Sequence, residues 1–191
     1  MMHLYDISCR DMPSTDLSPT GRVILGMIAL GRTTGYDIKQ LVDRTTRHFW
    51  AASYGQIYPE LKRLEDAGLV RGRPEPSGAR ARTVYSLTKE GERALQGWLA
   101  SDEEPLYELR DEGMLKLFFS DSLPERRIEN IRAMRQRQER KLAHLKTLEP
   151  HASQGPGGAY LTLQLGIAST ECFINWCAAT ERRLAAETEQ E

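Results

Sequence analysis

The sequence predicts a mainly α-helical protein: a winged helix-turn-helix, made of α-helices plus a two-stranded wing, followed by a helical dimerisation domain. Three observations predict it. Between Leu17 and Gly68 three helical periods follow one another, and the third carries a polar, basic outer face. Directly after Gly68 the period shortens to that of strands within an Arg-rich stretch. Beyond residue 105 the chain returns to helices, the last of them apolar on more sides than one neighbouring helix can cover.

Residues 1–16 form a polar arm without periodicity. Ser18 and Pro19 read as N-cap and first helical residue, and Val23, Ile24, Met27, Ile28 and Leu30 supply a core helix that stops at Gly31. Thr34 and Asp37 have the spacing of a capping box, with Asp the weaker partner. Ile38, Leu41, Val42, Thr45 and Phe49 then make one face of a second helix, and Phe49 with Trp50 is expected to pack the turn that follows.

The third helix lies within Ala52–Val70, capped by Ser53 and ended by Gly68. Ile57, Leu61 and Leu64 fall within about 60° of one another and make a buried stripe. The other face carries Gly55, Gln56, Tyr58, Pro59, Lys62 and Arg63, with Tyr54 at its start. Amide and cationic side chains of this kind can read base edges in a DNA major groove, while Tyr, Lys and a helix N-terminus can hold phosphates. Pro59 would ordinarily cost ~3 kcal/mol inside a helix, and Gly55 one turn earlier leaves the backbone room to adjust.

After Gly68 come a short extended run at Leu69–Arg71, turn chemistry in PEPSGAR, and the alternating run Thr83–Leu87. Arg71, Arg73, Arg80 and Arg82 cluster on or beside the resulting hairpin. Three helices and a basic hairpin in this order make a winged helix-turn-helix, whose wing lies over phosphate or minor groove. Thr88 caps a fourth helix with Leu95, Trp98 and Leu99 as its apolar patch, and Asp102–Pro105 closes the domain, placing domains at 17–105 and 106–191.

In the second domain Met114, Leu115, Leu117, Phe118 and Phe119 are apolar nearly all round and are expected to be buried on more than one side. Ser122 and Glu125 have capping-box spacing before a helix that runs to Leu148, with Ile128, Ile131, Leu142 and Leu145 at heptad-like spacing and Arg135 and Gln138 interrupting the seam. A final helix from about Ala159 to Ala186 holds Leu163, Ile167, Phe173, Ile174 and Trp176. A second chain is the simplest cover for them, so these five are the expected dimer contacts. Trp176 is also the candidate contact for a small aromatic effector, although core packing is the favoured role.

Composition excludes other classes. With 40 % hydrophobic and 28 % charged residues the chain is ordinary soluble protein, and no apolar run approaches the ~20 residues that span a bilayer. The first residues lack the apolar stretch of a signal peptide, so a cytoplasmic location without membrane contact is expected. Cys9, Cys172 and Cys177 form no CxxC pair, which speaks against a disulfide framework or zinc site, and the last two are expected to be buried. No nucleophile with a base, Gly-rich phosphate loop or metal-clasping His pair is present, so neither enzymatic activity nor a cofactor is expected. Residues 1–100 hold 14 Lys and Arg against 11 Asp and Glu, whereas 101–191 hold 12 against 16, which makes the first half the polyanion-facing one.

The segments LSPTGRVILGMIAL, TGYDIKQ, SYGQIYPELKRLEDAGLV, TVYSLTKEG and RDEGMLKLFF resemble the PadR-like winged-helix transcriptional regulators. The final helices resemble the C-terminal domain of virulence activators in that group, and the resemblance spans Leu17 to about Leu184. It implies a bacterial homodimer, usually a repressor, whose C-terminal helices dimerise, whose winged helices bind a palindromic operator, and which in some members responds to small phenolic ligands. The family's DNA-contacting Ser, Tyr and Lys positions fall on Ser53, Tyr58 and Lys62, and the basic wing positions on Arg80 and Arg82. Gln56 stands where members vary, so its base-reading role rests on its place on the helix. The rival is a winged-helix protein-interaction module without DNA affinity, consistent with the near-neutral total charge.

Overall fold

The computed structural model of the chain describes residues 17–76, 82–105, 107–155 and 157–188. The N-terminal arm with Cys9, and Arg80 of the wing, lie outside the described residues. Contacts divide the chain into two compact units between Glu104 and Pro105.

The first unit opens with α1 (Pro19–Ala29), whose N-cap Ser18 accepts a hydrogen bond from the Gly21 amide at 2.9 Å. Its end is set by Gly31 at φ 80°, a conformation that costs glycine nothing and lets Arg32 N–H reach the Met27 carbonyl at 3.0 Å. In α2 (Gly35–Arg44) Thr34 accepts from the Asp37 amide at 3.0 Å, but the Asp37 carboxylate reaches only the Thr34 hydroxyl, at 2.7 Å. Asp is one methylene shorter than Glu, so half of the expected box forms. A 3-10 turn, Thr46–His48, follows, and after it come an exposed Phe49 and a half-buried Trp50.

The third helix, α3 (Tyr54–Asp66), runs unbroken through Pro59. It ends as α1 does: Gly68 sits at φ 72° and Leu69 N–H returns to the Leu64 carbonyl at 2.9 Å. The chain then enters an antiparallel wing, β1 (Val70–Glu75) and β2 (Arg82–Leu87), in register from Val70↔Leu87 to Glu75↔Arg82. Pro74 and Glu75, expected in the turn, are strand residues, because a two-stranded sheet has outward sides where a residue without N–H costs no ladder bond. The Tyr85 amide donates to the Thr33 carbonyl at 2.6 Å, tying β2 to the segment between α1 and α2.

A single core holds these elements. Ile24, Leu25, Ile38, Val42, Ile57, Leu61 and Leu64 are fully buried and join Leu69, Val70 and Leu95. Each such side chain contributes roughly 1.5–3 kcal/mol on burial, enough to fix which side of α3 faces outward. Helix α4 (Lys89–Leu99) docks through its first turn. Thr88 accepts from the Gly91 amide at 3.0 Å and donates to the Gly68 carbonyl at 2.7 Å, while Gly91 lies directly against the Leu69 carbonyl. At its far end the Arg22 guanidinium lies 5.7 Å from the Trp98 ring centroid.

The second unit contains α5 (Glu112–Phe118), α6 (Arg127–Ala152) and α7 (Gly157–Thr188). Asp111 caps α5, accepting from the Gly113 amide at 2.8 Å. The box expected at Ser122 and Glu125 does not form: two 3-10 turns, Ser120–Ser122 and Pro124–Arg126, precede α6. Pro124 disfavours helical backbone at Leu123 and starts the second turn itself. Helices α6 and α7 pack antiparallel around Ile131, Met134 and Cys177, with Arg135 bonded to Glu181 at 2.8 Å and Lys146 to Glu171 at 2.8 Å. Arg135 thus crosslinks the seam that its charge was expected to interrupt. Burial, reinforced by the Glu181 carboxylate, pushes the Cys177 thiol pKa up, whereas Cys172 is exposed rather than buried.

Candidate nucleic-acid interface

Helix α3 separates its two faces completely. Ile57, Leu61 and Leu64 are fully buried, while Ser53, Tyr54, Gln56, Tyr58, Lys62 and Arg63 are all exposed. The ring pair is prepositioned: Tyr54 and Tyr58 stack with centroids 6.0 Å apart and planes 19° from parallel. Gly35 makes room for this, since a Cβ there would come within 2.6 Å of the Tyr58 ring. Lys39 of α2, a residue that the sequence reading left out of the site, places its ammonium 5.5 Å from the Tyr54 centroid and also pairs with Asp43. Its signal was local: Asp43 stands four residues on in the same helix.

At the helix start Gln56 is committed to a bond within the chain. Its Oε1 accepts from the Ser53 amide at 2.9 Å and from the Ser53 hydroxyl at 3.0 Å. Ser53 and Gln56, both expected to face DNA, are therefore bonded to each other, with the Gln56 NH2 group at the exposed end.

The cations follow a common pattern. Lys62 pairs with Asp66 at 3.3 Å, Arg63 with Glu60 at 2.7 Å, and Arg82 donates from Nε to Glu75 at 2.7 Å. Glu60 is also tied to the fold, accepting from the Ser18 hydroxyl at 2.6 Å, and its carboxyl is held below the usual range chiefly by Arg63, then by Ser18. Arg71 and Arg73 are exposed on β1 and border a groove shared with Glu65, Lys89 and Glu90. The Gly72 amide donates to Glu65 at 2.9 Å and locks the wing to α3.

In the second unit the expected dimer contacts separate. Leu163 is buried in its own chain, in line with Thr170, Cys177 and Leu184 at intervals of seven residues. Ile167, Phe173 and Ile174 are half-buried. Trp176 is 47 % exposed, against the favoured core role, and its ring lies 6.3 Å from that of Phe173. Leu161 and Leu165 on α7, Leu115 and Phe118 on α5, and Phe119 just after it are exposed, so the expectation of burial on several sides fails for this segment. A seven-residue helix packed mainly on α6 has only one side to bury. Among the described residues no helix is long and apolar enough to cross a membrane, and no His, Cys, Asp and Glu cluster could hold a metal ion.

Residues 24–97 match the model described as transcriptional regulator PadR-like family, and residues 109–185 the one described as virulence activator alpha C-term. The negative transcriptional regulator PadR of Bacillus subtilis is 30 % identical over 164 residues, covering 80 % of this chain and 90 % of that protein. The crystal structure of Bacillus subtilis PadR in complex with operator DNA superposes with a TM-score of 0.78 at 27 % identity, over 85 % of this chain and 96 % of that one. The Vibrio cholerae virulence activator AphA gives a TM-score of 0.65 at 25 % identity, over 88 % and 99 %.

Proposed function

Since the chain belongs to the PadR-like family of transcriptional regulators, and is not an enzyme, we propose that it represses transcription as a homodimer bound to a palindromic operator. The observation that carries the DNA-binding part is the exposed face of α3, polar and cationic over an inner face with no exposure at all. The Bacillus subtilis relative is a negative regulator crystallised on operator DNA, which supports repression as the direction. In this reading residues 17–105 hold the DNA and residues 106–191 pair two chains in the cytoplasm.

Dimerisation is supported by what the second unit leaves uncovered. Leu161, Leu165 and Trp176 on α7, with Phe118 on α5 and Phe119 just after it, expose more large apolar side chains than a solitary helical unit ordinarily presents to water. A two-fold dimer presents two recognition helices symmetrically, and a two-fold operator is its natural complement. Titration of operator DNA at several salt concentrations, with sedimentation of the free protein, tests the reading. Absence of salt-dependent operator binding would point instead to a protein-interaction module.

Lys62→Ala and Arg82→Ala are expected to weaken binding on every sequence and to lower the salt slope by up to about one unit each, as phosphate contacts do. A change confined to one preferred base would reject the phosphate assignment. Release by a small planar ligand belongs to the same proposal, with the half-open Phe173–Trp176 pair as its support. Such a ligand should quench fluorescence in the wild type and lose that effect in Trp176→Phe. Equal quenching in both would clear Trp176 of any effector role.

A further inference from the structure

We infer that Gln56 selects guanine in the major groove, and that its bond to Ser53 is what excludes adenine. The inference rests on the proposal above, that the outer face of α3 meets base edges. A glutamine amide usually recognises adenine by pairing twice, with its oxygen accepting from N6 and its NH2 donating to N7. That pattern needs a free amide oxygen.

Here the oxygen is fully used. The Ser53 backbone N–H is a donor that cannot be reversed, so the atom opposite it must be Oε1 and not Nε2. The Ser53 hydroxyl donates to the same oxygen. An amide oxygen has two lone pairs, and these two bonds occupy both. What Gln56 can offer a base is its NH2 group, a donor and nothing else.

A donor-only reader ranks the bases by their acceptors. Guanine presents O6 and N7 side by side, thymine presents O4 alone beside a methyl group, adenine sets its N6 donor next to N7, and cytosine offers a donor. Guanine is the one base that gives the NH2 group two acceptors and no opposing N–H. Adenine could compete only by opening the box, which would take the Ser53 amide and hydroxyl off their shared acceptor.

Gln56→Glu separates this role from folding. Glutamate is the other residue that closes this box, and its charge suits a helix N-terminus, so the thermal midpoint should be kept or raised. The exposed NH2 becomes a carboxylate oxygen, which accepts from cytosine N4 and repels guanine O6 and N7. Binding of the full-length protein to an operator library should show guanine at one position per half-site in the wild type. Gln56→Ala should erase that preference, a loss of roughly five- to 150-fold in discrimination, and Gln56→Glu should invert it to cytosine. Any other base selected there by the wild type overturns the inference, adenine in particular showing that the box opens on DNA. If both variants bind DNA with unchanged preference at every position, Gln56 touches no base and the inference falls while the DNA-binding proposal stands. If the wild type binds no DNA specifically, the proposal itself has failed.

Discussion

Cut after Glu104, the chain should give a folded monomer that binds the complete operator about 10²–10⁴-fold more weakly than the intact protein. The cut falls where the two compact units divide, and the core from Ile24 to Leu95 lies wholly within the fragment. That core is complete within residues 17–95, so the fold should persist. What is lost is the tether. In a dimer, one bound half-site holds the second reader close to the second half-site at high effective concentration, and a monomer must find each half-site from solution. Helix α7 has the reach for this, its 32 residues spanning ~48 Å against the ~34 Å between successive major grooves on one face of DNA. Sedimentation and operator titration of both species decide it. A fragment that dimerises and binds as tightly as the whole chain would remove the second unit from the proposed role.

The second large effect is on stability. Gly91→Ala should destabilise the first unit by about 3 kcal/mol or more, at the upper end of overpacking costs. A Cβ at this position would sit 2.0 Å from the Leu69 carbonyl oxygen and 2.9 Å from its carbon. Both are backbone atoms, and the same carbonyl accepts from the Thr88 amide at 3.1 Å, so no side chain can swing away to relieve the contact. Glycine inside a helix otherwise costs roughly 0.5–1 kcal/mol relative to alanine, so without the clash the sign would be reversed. Gly97 in the same helix has open space where its Cβ would lie, and Gly97→Ala should raise the melting temperature slightly. For a unit of this size the expected fall with Gly91→Ala is roughly 12–24 °C. Equal melting temperatures for the two variants would contradict the packing described at the start of α4.

The part of this molecule legible in its sequence is the part where one period has one solution. Ile57, Leu61 and Leu64 leave α3 a single face to bury, and Gly31 and Gly68 mark helix ends because few other residues accept their φ. The second unit resisted for the opposite reason. Helix α7 is apolar on more than one side, so its period could not tell Leu163, which is buried, from Leu161 and Leu165, which face water. On the interface, the Lys62–Asp66 and Glu60–Arg63 pairs were readable from helical spacing, but Glu75–Arg82 depends on strand register, which a turn placed over PEPSGAR conceals. The Ser53–Gln56 box carried the S-x-x-Q signature from the outset. Reading the serine as cap and the glutamine as base reader missed that each engages the other.

The carboxylates beside Lys62, Arg63 and Arg82 also bear on how such a protein would search a genome. A cation already paired within its own chain either brings Asp66, Glu60 or Glu75 with it to the polyanion or loosens that pair to hold a phosphate. Part of the gain from releasing ions off random DNA is cancelled at each contact. Sites that match the operator recover the difference through base contacts, and sites that do not have no such return. Because any one operator competes with about 10⁶–10⁹ nonspecific sites, shortening the stay on each of them raises occupancy of the correct one as effectively as tightening the operator complex itself.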